Sequence, residues 1–165
     1  MGSAGTAALF AAKGTAMKLE WGLTVGNTEG EVDRLLAVSR KAEGGLPLTE
    51  AQARAVAQAH GEALRRTGRI EFGKSAAEKL VEIFAGSPWL TREEQGQQLA
   101  ELAELFYDCR AELPDSLPDG WLLEQMRRAF DGPCRGCMEL MNDCFLLQLP
   151  RHLRQGGRPE DFGWR

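Results

Sequence analysis

The sequence predicts an all-α protein, a compact orthogonal bundle of about six helices in a single domain, and three observations carry that reading. The β-branched material of a buried sheet is nearly absent: valine stands only at positions 25, 32, 38, 56 and 81, and isoleucine only at 70 and 83. Thr49 with Gln52, Ser75 with Glu78 and Thr91 with Glu94 have the spacing of capping boxes, in which two side chains satisfy backbone N–H groups that a first helical turn leaves unpaired. Between these starts, apolar residues recur every three or four positions and the runs stop at glycine or proline.

Three regions follow: a flexible leader over 1–28, a helical domain over 29–154 and a mobile tail over 155–165 rich in Gly, Pro and charge. The leader opens with the small, featureless run MGSAGTAALFAAKGTA. Met1-Gly2 with Thr6 fits a myristoylation pattern, yet one acyl chain without a basic patch holds a membrane only marginally.

The first helix is expected over 29–43, with Val32, Leu35, Leu36 and Ser39 inward and Gly44-Gly45 as its stop. The second opens at Thr49 and ends at Thr67-Gly68; Ala53, Val56, Ala57, His60 and Leu64 give it a small-residue face that permits close approach to a neighbour. The third opens at Ser75, turns Ala76, Leu80, Ile83 and Phe84 inward, and closes at Gly86-Ser87-Pro88.

The fourth, over 91–113, reads as the longest helix and the one the others fold against. Gln95, Leu99, Leu102, Phe106, Cys109 and Leu113 line one side, and Glu94, Glu101, Glu104, Asp108 and Glu112 another. Arg110 falls among the apolar residues, so it must snorkel outward, pair with a carboxylate or point at a partner, the first two being favoured. A fifth helix surrounds Trp121, Leu122, Met126, Ala129 and Phe130 and halts at Asp131-Gly132-Pro133. A last one carries Met138, Met141, Phe145 and Leu149 into Pro150.

A net charge of −4 and the lack of clustered Lys and Arg argue against a nucleic-acid binder. The longest apolar runs are too short for a membrane span, and the Ala-rich start lacks a basic leader, so the expected location is cytoplasmic. In that compartment the four cysteines are expected as reduced thiols.

Gly68 to Ser75 is a literal G-x-x-x-x-G-K-S, whose amides and Lys74 would cradle phosphates. A buried strand should lead into such a loop, and here an Ala-rich helix does; the plainer reading is a Gly-flanked turn with Ser75 capping the next helix. Cys134 and Cys137 form a C-x-x-C, a candidate redox pair or zinc site. Cys144 would sit about 10 Å along a continuous helix from Cys137, so a metal site would have to recruit Cys109 or His60. Neither histidine follows a Glu at the E-x-x-H spacing of di-iron bundles, and no motif sets a nucleophile beside His60, which reads as a packed or surface residue and not a base. Arg69, Phe72 and Trp89 are the candidate surface for a protein partner, and the chain as a whole reads as a noncatalytic interaction or accessory module that needs no cofactor.

The stretches GRIEFG (68–73), SPWLT (87–91), LAELAELFY (99–107) and FDGPC (130–134), in this order and spacing, resemble an uncharacterised family of small all-helical bacterial proteins of unknown function. The resemblance spans about residues 30–145. It implies a single-domain bacterial cytosolic protein and brings no activity or site residues with it.

Overall fold

In the computed structural model, residues 28–162 are described; the expected leader, apart from Thr28, and residues 163–165 of the expected tail lie outside them. Seven α-helical pieces follow in order: α1 (Thr28–Lys41), α2 (Glu50–Thr67), α3 (Ala76–Phe84), α4 (Gln95–Arg110), α5 (Asp119–Asp131), α6 (Met138–Met141) and α7 (Gln148–Arg154). A π-helical turn (Asn142–Leu146) joins the last two, so α6 to α7 form a sixth helical segment and the bundle matches the predicted architecture. No strand occurs among the described residues.

The most extensive packing is between α2 and α4. Ala53, Val56, Ala57 and Ala63 supply a buried face of short side chains on α2, which lets the two backbones come close. At Gly96 they are so close that a Cβ would meet the Cα, Cβ and Cγ of Gln52 at 2.8–3.0 Å. The helices α1 and α3 close one side and α5 packs on α3 and α4, around a core that includes Leu35, Leu80, Phe84, Phe106, Met126 and Phe130.

Two of the three expected capping boxes are complete. Thr49 and Gln52 exchange side-chain-to-backbone hydrogen bonds at the start of α2, and Ser75 and Glu78 do so at α3. The third is half formed: Thr91 Oγ1 accepts from Glu94 N–H at 3.2 Å, but the side chain that returns to Thr91 N–H is Gln98. Residues 92–94 form a turn first, so α4 begins at Gln95. It also ends early, because Glu112 and Leu113 turn their N–H groups onto carbonyls three residues back. At 16 residues α4 is therefore shorter than expected, and α2, with 18, is the longest helix described.

Pro150 sits in the first turn of α7 and offers no N–H to the carbonyl of Leu146 four residues earlier. The chain stays helical by widening just before it, with Leu147 N–H bonded to Asn142 O at 2.9 Å, and the free Leu146 carbonyl accepts from the Cys109 thiol at 3.5 Å. Beyond α7 the chain turns back, and Phe162 packs against the rings of Phe145 and His152, each at a centroid distance of 5.1 Å.

Candidate functional site

Between α2 and α3 the chain leaves the helical path at Gly68, whose φ of 72° is the left-handed conformation that ends α2. Residues 69–72 then alternate as extended backbone does. Ile70 and Phe72 face solvent, 62% and 65% exposed, while Arg69 and Glu71 turn inward. This short stretch thus presents two large apolar side chains outward and delivers a cation and a carboxylate into the bundle.

Inside, those two residues complete a buried network of charge. His60, on α2, lies between two carboxylates: Nε2 is 2.9 Å from Glu71 Oε1, and Nδ1 faces Glu31 Oε2 of α1, neither of those two atoms having another hydrogen-bonding partner among the described residues. Tyr107 of α4 donates its hydroxyl to Glu71 Oε2 at 2.7 Å, and its ring lies 5.7 Å from the Arg69 guanidinium. Arg69 binds Glu71 at 3.0 Å and Asp119 at 2.5 Å, and Arg110 binds the other oxygen of Asp119 at 2.9 Å. Glu31, Glu71 and Asp119 face His60, Arg69 and Arg110, so the charges match in number, and one cluster ties α1, α2, α4 and the start of α5 together.

Burial disfavours the charged form of His60, but the Glu31 and Glu71 carboxylates outweigh it and carry its pKa up to about 9. Burial likewise pushes the Glu71 carboxyl up, and the hydrogen bonds from His60 and Tyr107, with the nearby Arg69, turn the net shift downward. The Tyr107 phenol is held far above its ordinary range by burial and by the Glu71 charge. At neutral pH His60 is therefore a cation with both nitrogens engaged and Glu71 a fully ligated anion. A base needs a free lone pair, which His60 lacks, so the cluster works as a brace. This agrees with the sequence reading of His60 as a packed residue.

Arg110 takes the second course foreseen for it: only 8% exposed, it pairs with Asp119 and also donates to the carbonyls of Leu113, Pro114 and Leu117, organising the connection to α5. The turn expected at 68–75 is present, and its two phosphate-motif side chains are already engaged. Lys74 pairs with Glu82 at 2.5 Å, and Ser75, buried, caps α3.

The residues proposed for a partner surface part company. Phe72 is exposed, Arg69 belongs to the buried network, and Trp89, 40% exposed, donates its indole N–H to Asp131 O at 3.2 Å with its side chain lying against Gly136. The contingent metal set is not gathered: among the described residues no group of three or more His, Cys, Asp or Glu side chains is arranged to hold a metal ion. His60 is held by carboxylates and Cys109 by the Leu146 carbonyl, with burial pushing the Cys109 thiol up to about 12. Cys134 is buried, with its pKa pushed up to about 11 by burial and by the neighbouring Cys144 and Cys137, while Cys137 is exposed.

Sequence reasoning left out Ile70, Glu31, Glu71, Tyr107 and Asp119 as functional positions. The signal for Ile70 and Glu71 was present in the strict alternation of Arg69-Ile70-Glu71-Phe72 between two glycines. For the carboxylates it lay in the need of His60, Tyr107 and Arg110, all on apolar helical faces, for buried partners.

The fold and its internal brace define a class of protein: a small single-domain helical bundle held by a buried charge cluster. The chain belongs to DUF6323, a family of unknown function, whose model matches residues 35–159. That match includes His60, Arg69, Glu71, Tyr107, Arg110 and Asp119, and begins four residues after Glu31. Among curated proteins and among solved structures nothing matches the chain.

Proposed function

We propose that this protein is a noncatalytic cytoplasmic interaction module that grips a protein partner through Ile70 and Phe72. The observation that carries the reading is the pairing of their exposure with the burial of the residues between and before them: 62% and 65% exposed, they flank Glu71, whose side chain is anchored by His60, Tyr107 and Arg69. Exposed apolar side chains on a floppy loop must be ordered on binding; here the backbone is already fixed from beneath, which removes part of that cost. A partner of matching chemistry offers an apolar pocket of its own, into which an aromatic and an aliphatic anchor insert as a central hot spot with a polar rim around them. Arg66, four residues before Ile70 in the chain, and Lys74, two after Phe72, are paired with Asp108 and Glu82 and offer both signs of charge for such a rim.

The test compares wild-type protein with the Ile70→Ser/Phe72→Ser variant, both tagged in the native cell, cross-linked and quantified by mass spectrometry. The expected result is one protein enriched with the wild type, reduced at least about tenfold with the variant, and binding wild type directly once both are purified. Identical recoveries for the two proteins, or loss only of self-association measured by light scattering, would overturn the reading. Unchanged circular dichroism of the variant separates a lost contact from a lost fold.

A further inference from the structure

The turn after α5 points to a second site, independent of the partner surface. Cys137 N–H donates to Cys134 O at 2.9 Å, closing a β-turn with a cysteine at each end. Both central residues have positive φ, 49° at Arg135 and 78° at Gly136, the signature of a type I′ turn, and Arg135 holds that conformation without being glycine. The turn is fixed from three sides. Cys134 N–H bonds to Ala129 O at 3.0 Å and Gly136 N–H to Phe130 O at 2.7 Å, while a Cβ on Gly136 would stand 2.7 Å from the Cβ of Trp89, so the indole side chain covers the turn.

A β-turn brings the Cα atoms of its first and last residues within about 7 Å, and a disulfide spans roughly 4.4–6.8 Å. The two thiols also differ in access: Cys134 is 2% exposed and Cys137 lies on the surface, its Sγ accepting from Leu140 N–H at 3.4 Å. We propose that Cys134 and Cys137 are a reversible dithiol–disulfide pair that exchanges with low-molecular-weight disulfides, Cys137 being the attacking thiol and Cys134 the resolving one.

The exchange balances in two steps. Cys137 gives up its proton and its thiolate attacks one sulfur of the small disulfide; the Cys137 S–S bond forms, the original S–S bond breaks, and one small thiolate leaves. Cys134 then gives up its proton and its thiolate attacks Sγ of Cys137, forming the intramolecular disulfide and expelling the second small thiolate. The chain loses two electrons and two protons, and one small disulfide becomes two thiols. The high pKa of the Cys134 thiol accords with its following and not leading. Trp89, lying on the turn, would register the change of state.

The test treats the full reduced chain with oxidised glutathione, blocks the remaining thiols and maps the peptides by mass spectrometry. Two of the four thiols should be lost, as a Cys134–Cys137 disulfide, together with a change in the fluorescence that Trp89→Phe removes. Cys134→Ser should accumulate glutathione on Cys137, Cys137→Ser should form neither product, and Cys144→Ser should behave as wild type. A mixed disulfide persisting on Cys137 of the wild type, a bridge to Cys144, or four unreacted thiols would each overturn the proposal.

Discussion

His60 Nε2 lies 2.9 Å from Glu71 Oε1, and this contact is where the extended stretch between α2 and α3 is fastened to the bundle. Two groups that burial would each neutralise keep one another charged, with Tyr107 and Arg69 holding the second carboxylate oxygen.

That contact makes stability depend on pH. The folded pKa of His60, about 9, lies above its unfolded value near 6.5, so the stabilisation is complete below about pH 6.5 and is lost as pH rises through 9. The difference corresponds to roughly 3 kcal/mol at about 1.4 kcal/mol per pKa unit. Thermal unfolding followed from about pH 6 to about pH 10 should show Tm falling across that window, and His60→Gln should be less stable at the acid end with the slope removed. Glu71 acts on the other side: its carboxyl is depressed in the folded state, so its contribution, present above the ordinary carboxylate range, is lost as the solution is acidified through the lowered value.

Removing Arg110 should be among the most damaging single changes. Its guanidinium binds Asp119 and the carbonyls after α4 from an 8%-exposed position, so Arg110→Met leaves Asp119 with Arg69 as its one remaining cation and strips several carbonyls of their donor at once. A loss of about 3–5 kcal/mol is expected in urea unfolding, the usual result of breaking a buried pair from one side. Arg110→Lys should recover little, since one ammonium cannot span acceptors that a planar fork reaches together.

How far the fold was legible follows from which signals are local. The boxes at Thr49 and Ser75 and the stop at Gly68 depend on residues within four positions of one another, and they set α2 and α3 as expected. The ends of α4 did not, because Gln98 took the place of Glu94 in the return bond and Arg110 drew the following carbonyls around itself. The charge cluster was invisible for the same kind of reason: Glu31, His60, Glu71, Tyr107 and Asp119 come from separate segments, and only packing decides which carboxylate meets which cation. Arg110, a cation on an apolar face, was its plainest sign, with the polar groups of His60 and Tyr107 on apolar faces beside it.

Two glycines inside helices should respond to alanine in opposite directions. At Gly61 the nearest group to a new Cβ is the flexible tip of Arg65 at 3.6 Å, so Gly61→Ala should gain about 0.5–1 kcal/mol from helix propensity alone. At Gly96 the same Cβ would press on Gln52, its Cα included, at 2.8–3.0 Å, which forces α2 and α4 apart. Overpacking of about 1–3 kcal/mol should exceed the propensity gain and leave Gly96→Ala destabilised in denaturant titration. Equal stabilisation of both variants would show that the helices do not approach this closely.

Cys109 and Pro150 should prove energetically coupled although they belong to different helices. Pro150 cannot donate to the Leu146 carbonyl, and the Cys109 thiol does so instead at 3.5 Å in a buried setting. Cys109→Ala alone leaves that carbonyl unpaired as well as a small void, for a cost of about 2 kcal/mol. Pro150→Ala restores a backbone N–H four residues along, so the cysteine change made in that background should cost about 1 kcal/mol less. A double-mutant cycle in urea reads the difference directly. Additive effects would mean that the thiol contributes by filling space, and that the wide turn before Pro150 is maintained by packing of Phe145 and Leu149 without help from the sulfur.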